Sequence, residues 1–488
     1  MNQPSLLSSL HPATEPDTLD STDRAKIDAS TRLPVLLFFG SAIFWLLLGS
    51  FLGLLSAWKM TNPWLLDSMG WLTFGRLRPA HLNAVAYGWA APAAIGVGLW
   101  LTARLCRIPL LHSKLLVSAA IIWNLGILVG ICGILIGDGR SIEWLEFPAY
   151  STPILFVSYA LIGIWTIIMF RFRKPGHIYV SQWYLFAAFL WFPWLYATAN
   201  ILLVWQPVQG PAQGAINWWY AHNVLGLWFT PIGLASAYYF IPKVIGRPIH
   251  SYYLSILGFW SLALFYSWNG LHHLIGGPFP AWLISASVVA SLMMFIPVIT
   301  TAINHHMTMQ GHFEALKWSP TLRFTVFGAV AYTVVSLQGS SMAIPSLNTI
   351  THFTDYTIGH AHLGLYAFFT MMMFGAMYYI VPRLVGWEWP SASMIRWHFW
   401  LSAVGIILMV SALTLGGLLQ GLALYDVKST FRSSLEFATP FRYLRGVSGF
   451  VLMAGQIIFA ILFIQMLLKL GTPKKGPALL GKPDDATV

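Results

Sequence analysis

Thr357-Ile-Gly-His-Ala-His-Leu-Gly364 sets two histidines, His360 and His362, inside a long apolar run. Residues two apart on an α-helix differ by about 200° around its axis. The two imidazoles therefore point to nearly opposite faces. A single histidine on an apolar face is more often a hydrogen-bonded core residue. His-x-His between glycines in such a run is better explained as one helix presenting a metal ligand to each side.

Four further histidines lie in apolar, membrane-length segments. His81 stands in Arg78-Pro-Ala-His-Leu-Asn-Ala-Val, and His222 in Trp218-Trp-Tyr-Ala-His-Asn-Val-Leu-Gly. His272 and His273 are adjacent in Tyr266-Ser-Trp-Asn-Gly-Leu-His-His-Leu. Hydrocarbon does not tolerate idle polar groups, so an intramembrane histidine lines a cavity or binds something. Three neutral imidazoles from neighbouring helices suit copper, and also iron or zinc, with one position open to a substrate. His81 is then free to serve as a second axial ligand to one of two hemes on the His-x-His helix. Bis-histidine ligation closes both faces of an iron, which then moves electrons rather than binding gas.

Composition sets the solvent. The 488 residues are 57% hydrophobic and 9% charged, with mean hydropathy +0.67. A soluble domain carries about 25% charged residues, so lipid is the expected surroundings. Twelve stretches reach the roughly 20 residues that a spanning helix needs. They lie near 34–58, 80–105, 114–137, 150–172, 181–206, 217–242, 252–275, 280–304, 320–343, 353–382, 396–420 and 446–470. The reading is an all-α integral membrane protein of about twelve transmembrane helices. Residues 34–470 form the helical domain, between a disordered polar tail at 1–33 and a second tail at 471–488.

The net charge of +11 follows topology. With the N-terminus in the cytoplasm, 19 of the 27 Lys and Arg fall on the inner side. This is the positive-inside bias, so basicity needs no nucleic-acid partner, and both termini are expected inside. Two cysteines, Cys106 and Cys132, make no disulfide framework. No Cys-x-x-Cys-His occurs, so this chain attaches no c-type heme. The first 33 residues lack the apolar core of a signal peptide.

Acids are informative by where they fall. None of the sixteen lies between Glu146 and Glu314, and Asp355 sits only near the start of the tenth segment. An ion-coupled transporter is expected to carry intramembrane carboxylates, which counts against that class.

Taken together, these motifs resemble the catalytic subunit of the heme–copper oxidase superfamily. Trp-Trp-Tyr-x-His-Asn, Tyr-x-Trp-x-Gly-x-His-His and His-Phe-Thr-Asp-Tyr-Thr-Ile-Gly-His-Ala-His look most like its C branch, the cbb3-type cytochrome c oxidases. The resemblance runs from about residue 35 to 470 and implies the subunit I fold. It implies two b-type hemes and one copper ion. His81 and His362 would ligate the low-spin heme, His360 the high-spin heme, and His222, His272 and His273 the copper. Arg445 matches a propionate-binding arginine, and His352 and Asp355 are positioned to meet a propionate.

Tyr266 selects the branch. Better-known oxidases carry a tyrosine four residues after the first copper histidine, where this chain has Gly226. In the C branch the matching tyrosine lies on the next helix and is cross-linked to the histidine that corresponds to His222. The resemblance also implies a proton path from the cytoplasm through Thr230, Tyr238, Ser255, Asn304 and Tyr332. Each of these residues equally suits hydrogen bonding between helices.

The implied function is reduction of O2 to water with electrons from cytochrome c, coupled to proton uptake and pumping. Membrane-anchored cytochrome c subunits are the implied partners, and the bacterial inner membrane the implied site. A nitric oxide reductase shares the fold and the histidines, but carries intramembrane glutamates beside a non-heme iron. A non-catalytic membrane heme conduit needs His81 and His362, yet gives no reason for His222, His272, His273 and Tyr266 to coexist.

Overall fold

The computed structural model describes residues 21–473. Among the described residues, eleven helices are long and apolar enough to span a membrane, and a shorter apolar helix makes a twelfth segment. In chain order they are α1 (Ser21–Lys59), α2 (Phe74–Cys106), α3 (Ser113–Ile136), α4 (Thr152–Arg171), α5 (Val180–Trp205) and α6 (Ala212–Ile245). There follow α7 (Tyr252–Tyr266), α8 (Ala281–Met309), α9 (Pro320–Met342), α10 (Asp355–Val385), α11 (Ala392–Tyr425) and α12 (Phe431–Leu467).

Two expectations are corrected here. The sequence suggests a tail at 1–33, but residues 21–33 form the opening turns of α1. They are held there by Asp28, which pairs with Arg104 at 3.0 Å and accepts a hydrogen bond from the Trp100 indole at 2.9 Å. Residues 1–20 and 474–488 lie outside the described residues. The seventh segment was expected to run to 275, but α7 ends at Tyr266. His272 and His273 sit instead in a 3-10 turn, Asn269–Leu274.

Burial orders the helices. In the central windows of α2, α6 and α10, 94%, 83% and 83% of residues are buried, against 33–61% for the other long helices. A helix apolar all round belongs in the middle of a bundle, and these three carry His81, His222 and the His360/His362 pair. The outer helices turn large side chains such as Phe44, Ile121, Ile164 and Trp400 outward, as lipid contact allows.

Each inner helix widens into a π-helical stretch just after its histidines: Ala84–Ala90, Val224–Phe229 and Leu363–Thr370. Such π segments are uncommon and concentrate at functional sites. In α2 and α6 a proline follows at once, Pro92 and Pro231. Proline cannot donate to the ladder and crowds the preceding turn, so a widened turn beside it relieves the clash. The stretches in α2 and α10 also touch, with Trp89 Nε1 donating to Thr370 Oγ1 at 2.8 Å.

Candidate metal centre

His81 and His362 approach from α2 and α10. Their rings face one another with centroids 6.4 Å apart and planes 16° from parallel. Both Nδ1 atoms meet backbone carbonyls, Gly49 O at 2.7 Å for His81 and Ile358 O at 2.8 Å for His362. A ring nitrogen facing a carbonyl must be the N–H, so both Nε2 atoms keep their lone pairs. A gap of this size accepts one metal ion with two imidazole bonds of about 2 Å. Gly53 makes the approach possible, because a Cβ there would lie 2.5 Å from the His81 ring.

His360 points to the other side of α10, as the helical spacing requires. Its Nδ1 lies 3.2 Å from Gln338 Oε1. It lines a cavity of about 320 Å³ together with His222, Tyr266, His272 and His273. His81, His362 and Trp144 border both this cavity and a second of about 130 Å³.

The remaining three histidines converge. His222, His272 and His273 each offer a ring nitrogen within 4.8 Å of the others. The 3-10 turn is clamped by α8. Ser287 Oγ accepts the His272 backbone N–H at 2.8 Å, and Ser291 Oγ lies 2.9 Å from His272 Nδ1. Because Ser291 donates its own proton to Ser287 O, its oxygen accepts the His272 N–H and leaves Nε2 free. His273 stacks on Trp218 at 3.9 Å and 10°. His222 Nδ1 is buried without a hydrogen-bond partner. Three neutral imidazoles, with nitrogens either bonded so as to free the other or left without a partner, suit a borderline-soft cation.

Tyr266 closes this group, its ring 4.6 Å from that of His222 and tilted by 35°. The ring lies over Gly226, where a Cβ would overlap Tyr266 Cε1. Tyr266 thus fills the space that a side chain four residues after His222 would occupy.

Around the cavities, Arg445 is 8% exposed, borders both, and donates to Met60 Sδ at 3.0 Å. His352 also lines the large cavity. Asp355 does not share that wall. Arg442 holds it at 2.8 Å. In the loop after α3, Trp144 adopts a φ of +66°, a costly conformation for a bulky residue. Two residues on, Glu146 is buried, accepts from Asn83 Nδ2 at 3.0 Å and lies 3.9 Å from Arg78. Burial, helped by nearby Glu143, pushes its carboxyl up to about 7 against those two partners.

Of the expected proton-path residues, Tyr238, Ser255 and Asn304 come together. Asn304 Nδ2 lies 2.9 Å from Ser255 Oγ and 3.5 Å from Tyr238 OH. Thr230 and Tyr332 stand on the wall of the large cavity. His305 and His398, which stand near helix ends in the sequence, are both buried. Sequence reasoning also missed Ser287 and Ser291. Their spacing of four on an apolar helix was the available signal for a polar stripe facing inward.

The family model described as cytochrome C and quinol oxidase polypeptide I matches residues 34–451. The cbb3-type cytochrome c oxidase subunit CcoN1 of Stutzerimonas stutzeri is 33% identical over 434 residues, covering 86% of this chain and 91% of that one. The bacteroid cytochrome c oxidase subunit 1 homolog of Bradyrhizobium diazoefficiens is 33% identical over 444 residues, 86% of this chain and 79% of its own. A nitric oxide reductase chain of Stutzerimonas stutzeri is 26% identical over 263 residues, 51% of this chain and 55% of its own. A cryo-EM structure of a heme-copper terminal oxidase dimer superposes with a TM-score of 0.72 at 16% identity. It covers 95% of this chain and 87% of the other, and so speaks for the fold.

Proposed function

The chain belongs to the family of cytochrome c and quinol oxidase polypeptide I, and from that premise we propose that it is the O2-reducing subunit of a cbb3-type cytochrome c oxidase. Two b-type hemes and one copper ion, when bound, supply the electron carriers and the pair of metals between which O2 is reduced. His81 and His362 would hold one heme, and closing an iron with two imidazoles would reserve it for electron transfer. His360 would hold the second heme. His222, His272 and His273 would hold the copper. Arg445 and His352 would bind heme carboxylates.

Tyr266 carries the distinguishing role. A phenol beside a copper ligand gives up an electron and a proton together, which supplies what the metals lack for splitting O2 without releasing peroxide. The observation that supports this most is its ring packed on Gly226 beside His222. That position is wanted by an oxidase of this branch and gives no advantage to an electron conduit. No carboxylate of this chain lies between Glu146 and Glu314, so α6 to α8 lack the glutamates of a nitric oxide reductase.

Protons reach Tyr266 from the inner side through the Asn304 cluster, Thr230 and Tyr332, and some are pumped. Electrons arrive from membrane-anchored cytochrome c subunits, since this chain has no c-heme motif of its own. The enzyme lies in the bacterial inner membrane with both termini in the cytoplasm.

Metal and heme analysis of the purified complex, with c-hemes of partner subunits subtracted, tests the reading. Two b-type hemes and one copper per chain, with O2 consumption that Tyr266→Phe abolishes at unchanged metal content, are expected. Near-normal turnover in Tyr266→Phe would remove the phenol's role. An extra iron in place of copper would move the assignment to nitric oxide reduction.

A further inference from the structure

His305 lies on α8, next in sequence to Asn304, and is 3% exposed. Its ring packs edge-on against Tyr238 at 4.5 Å. Neither of its ring nitrogens meets a hydrogen-bond partner among the described residues. It is the single histidine there with both nitrogens buried and unpartnered. A histidine kept for packing spends at least one nitrogen, as His398 does on Tyr378 OH at 2.8 Å. Buried polar atoms are otherwise satisfied, and internal water is the usual partner where protein groups are missing.

Its surroundings form a polar line through an apolar bundle. On the inner side, His306 follows it half-buried and His250 is exposed. The His250 backbone N–H is tied to Thr308 Oγ1 at 2.9 Å, one turn from Asn304. On the other side, Thr301 sits one turn along the same helix, near the hydroxyls of Tyr184, Tyr238 and Tyr332. Thr301, Tyr184 and Tyr332 hydroxyls are themselves buried and outside hydrogen-bonding geometry. Tyr332 reaches the wall of the large cavity. Along this line the chain offers no carboxylate at all, because its acids stop at Glu146 and resume at Glu314.

We propose that His305 passes protons from the inner surface to the Tyr238–Asn304–Ser255 cluster and so to the O2 site. One ring nitrogen takes up a proton from the His306 side. The other releases its proton toward Tyr238, and the imidazole ends neutral, with no net charge moved onto the residue. Imidazole suits this work because one ring nitrogen can accept a proton while the other gives one up. The inference rests on the O2-reducing function proposed above, which requires protons at the cavity.

The test uses the intact purified oxidase complex and two substitutions. His305→Phe keeps a ring without a proton-carrying atom. His305→Asn keeps polarity without a titrating group. Both are expected to slow flash-triggered proton uptake and O2 consumption by about 10²-fold, with heme and copper content, optical spectra and electron exchange between the hemes unchanged. Wild-type uptake in His305→Phe, or recovery in His305→Asn, would overturn the proposal, the second by reducing His305 to a hydrogen-bonding role. Failure of the wild-type complex to consume O2 would instead count against the proposed function.

Discussion

A methyl group at position 226 would overlap Cε1, Cδ1 and Cζ of Tyr266. No rotamer change absorbs such an overlap in a packed interior. Gly226→Ala is expected to push the phenol off His222 and cut O2 consumption by about 10²-fold or more. Both hemes and the copper should stay, as metal analysis of the variant would show. Glu146 makes a second residue-scale prediction. Its carboxyl, ordinarily near 4.5, is held at about 7 in the folded protein. Below 4.5 it is protonated folded or unfolded. Between 4.5 and 7 the folded state keeps a proton that the unfolded chain releases, so stability falls as pH rises through that window and levels off above it. Glu146→Gln, neutral throughout, should flatten that part of the melting-temperature profile. A slope unchanged by the substitution would assign the dependence elsewhere.

At the scale of elements, the three inner helices share one construction. A histidine-bearing turn is followed by a π stretch, and in α2 and α6 then by proline. The extra residue per turn rotates the segment after the histidine relative to the segment before it. Both halves can then face the middle of the bundle, which a regular helix of that length does not manage. The prolines were readable in the sequence. The widened turns were not, because propensity is silent about a ladder that shifts by one step. The 3-10 turn with His272 and His273 depends on a neighbouring element too. Ser291 on α8 fixes the orientation of His272, and Ser291→Ala removes that acceptor. Copper affinity should fall about 10–100-fold, measurable by competition with a chelator, while heme content holds.

For the whole molecule, charge and burial set orientation and depth. Most of the basic residues gather on one side of the bundle in the sequence, and that side is expected to face the cytoplasm. A reporter that works only in the cytoplasm should be active when fused after Val488 and silent in the loop around Asp426. Activity at Asp426 would invert the assignment. At the end of the bundle that carries the cavities, polar groups are held in pairs. Arg442 takes Asp355, Arg78 takes Glu143 at 2.7 Å, and Arg445 stays buried between the cavities. Under the proposed function, Arg445 and His352 are the polar groups on the cavity wall available to the anionic edge of a bound heme.

By itself the sequence determined the lipid solvent, the helical class and the six histidines. These follow from composition and from the 200° offset within His-x-His, which are local properties of the chain. It also paired Tyr266 with the empty position at 226, forty residues apart, but only through the resemblance. The tertiary structure shows the contact itself, because whether a ring fills the space over a glycine depends on how α6 and α7 pack. The same holds for His305. A histidine near a helix end reads as solvated until neighbouring helices cover it, and burial with two unpartnered nitrogens is a property of the assembled bundle.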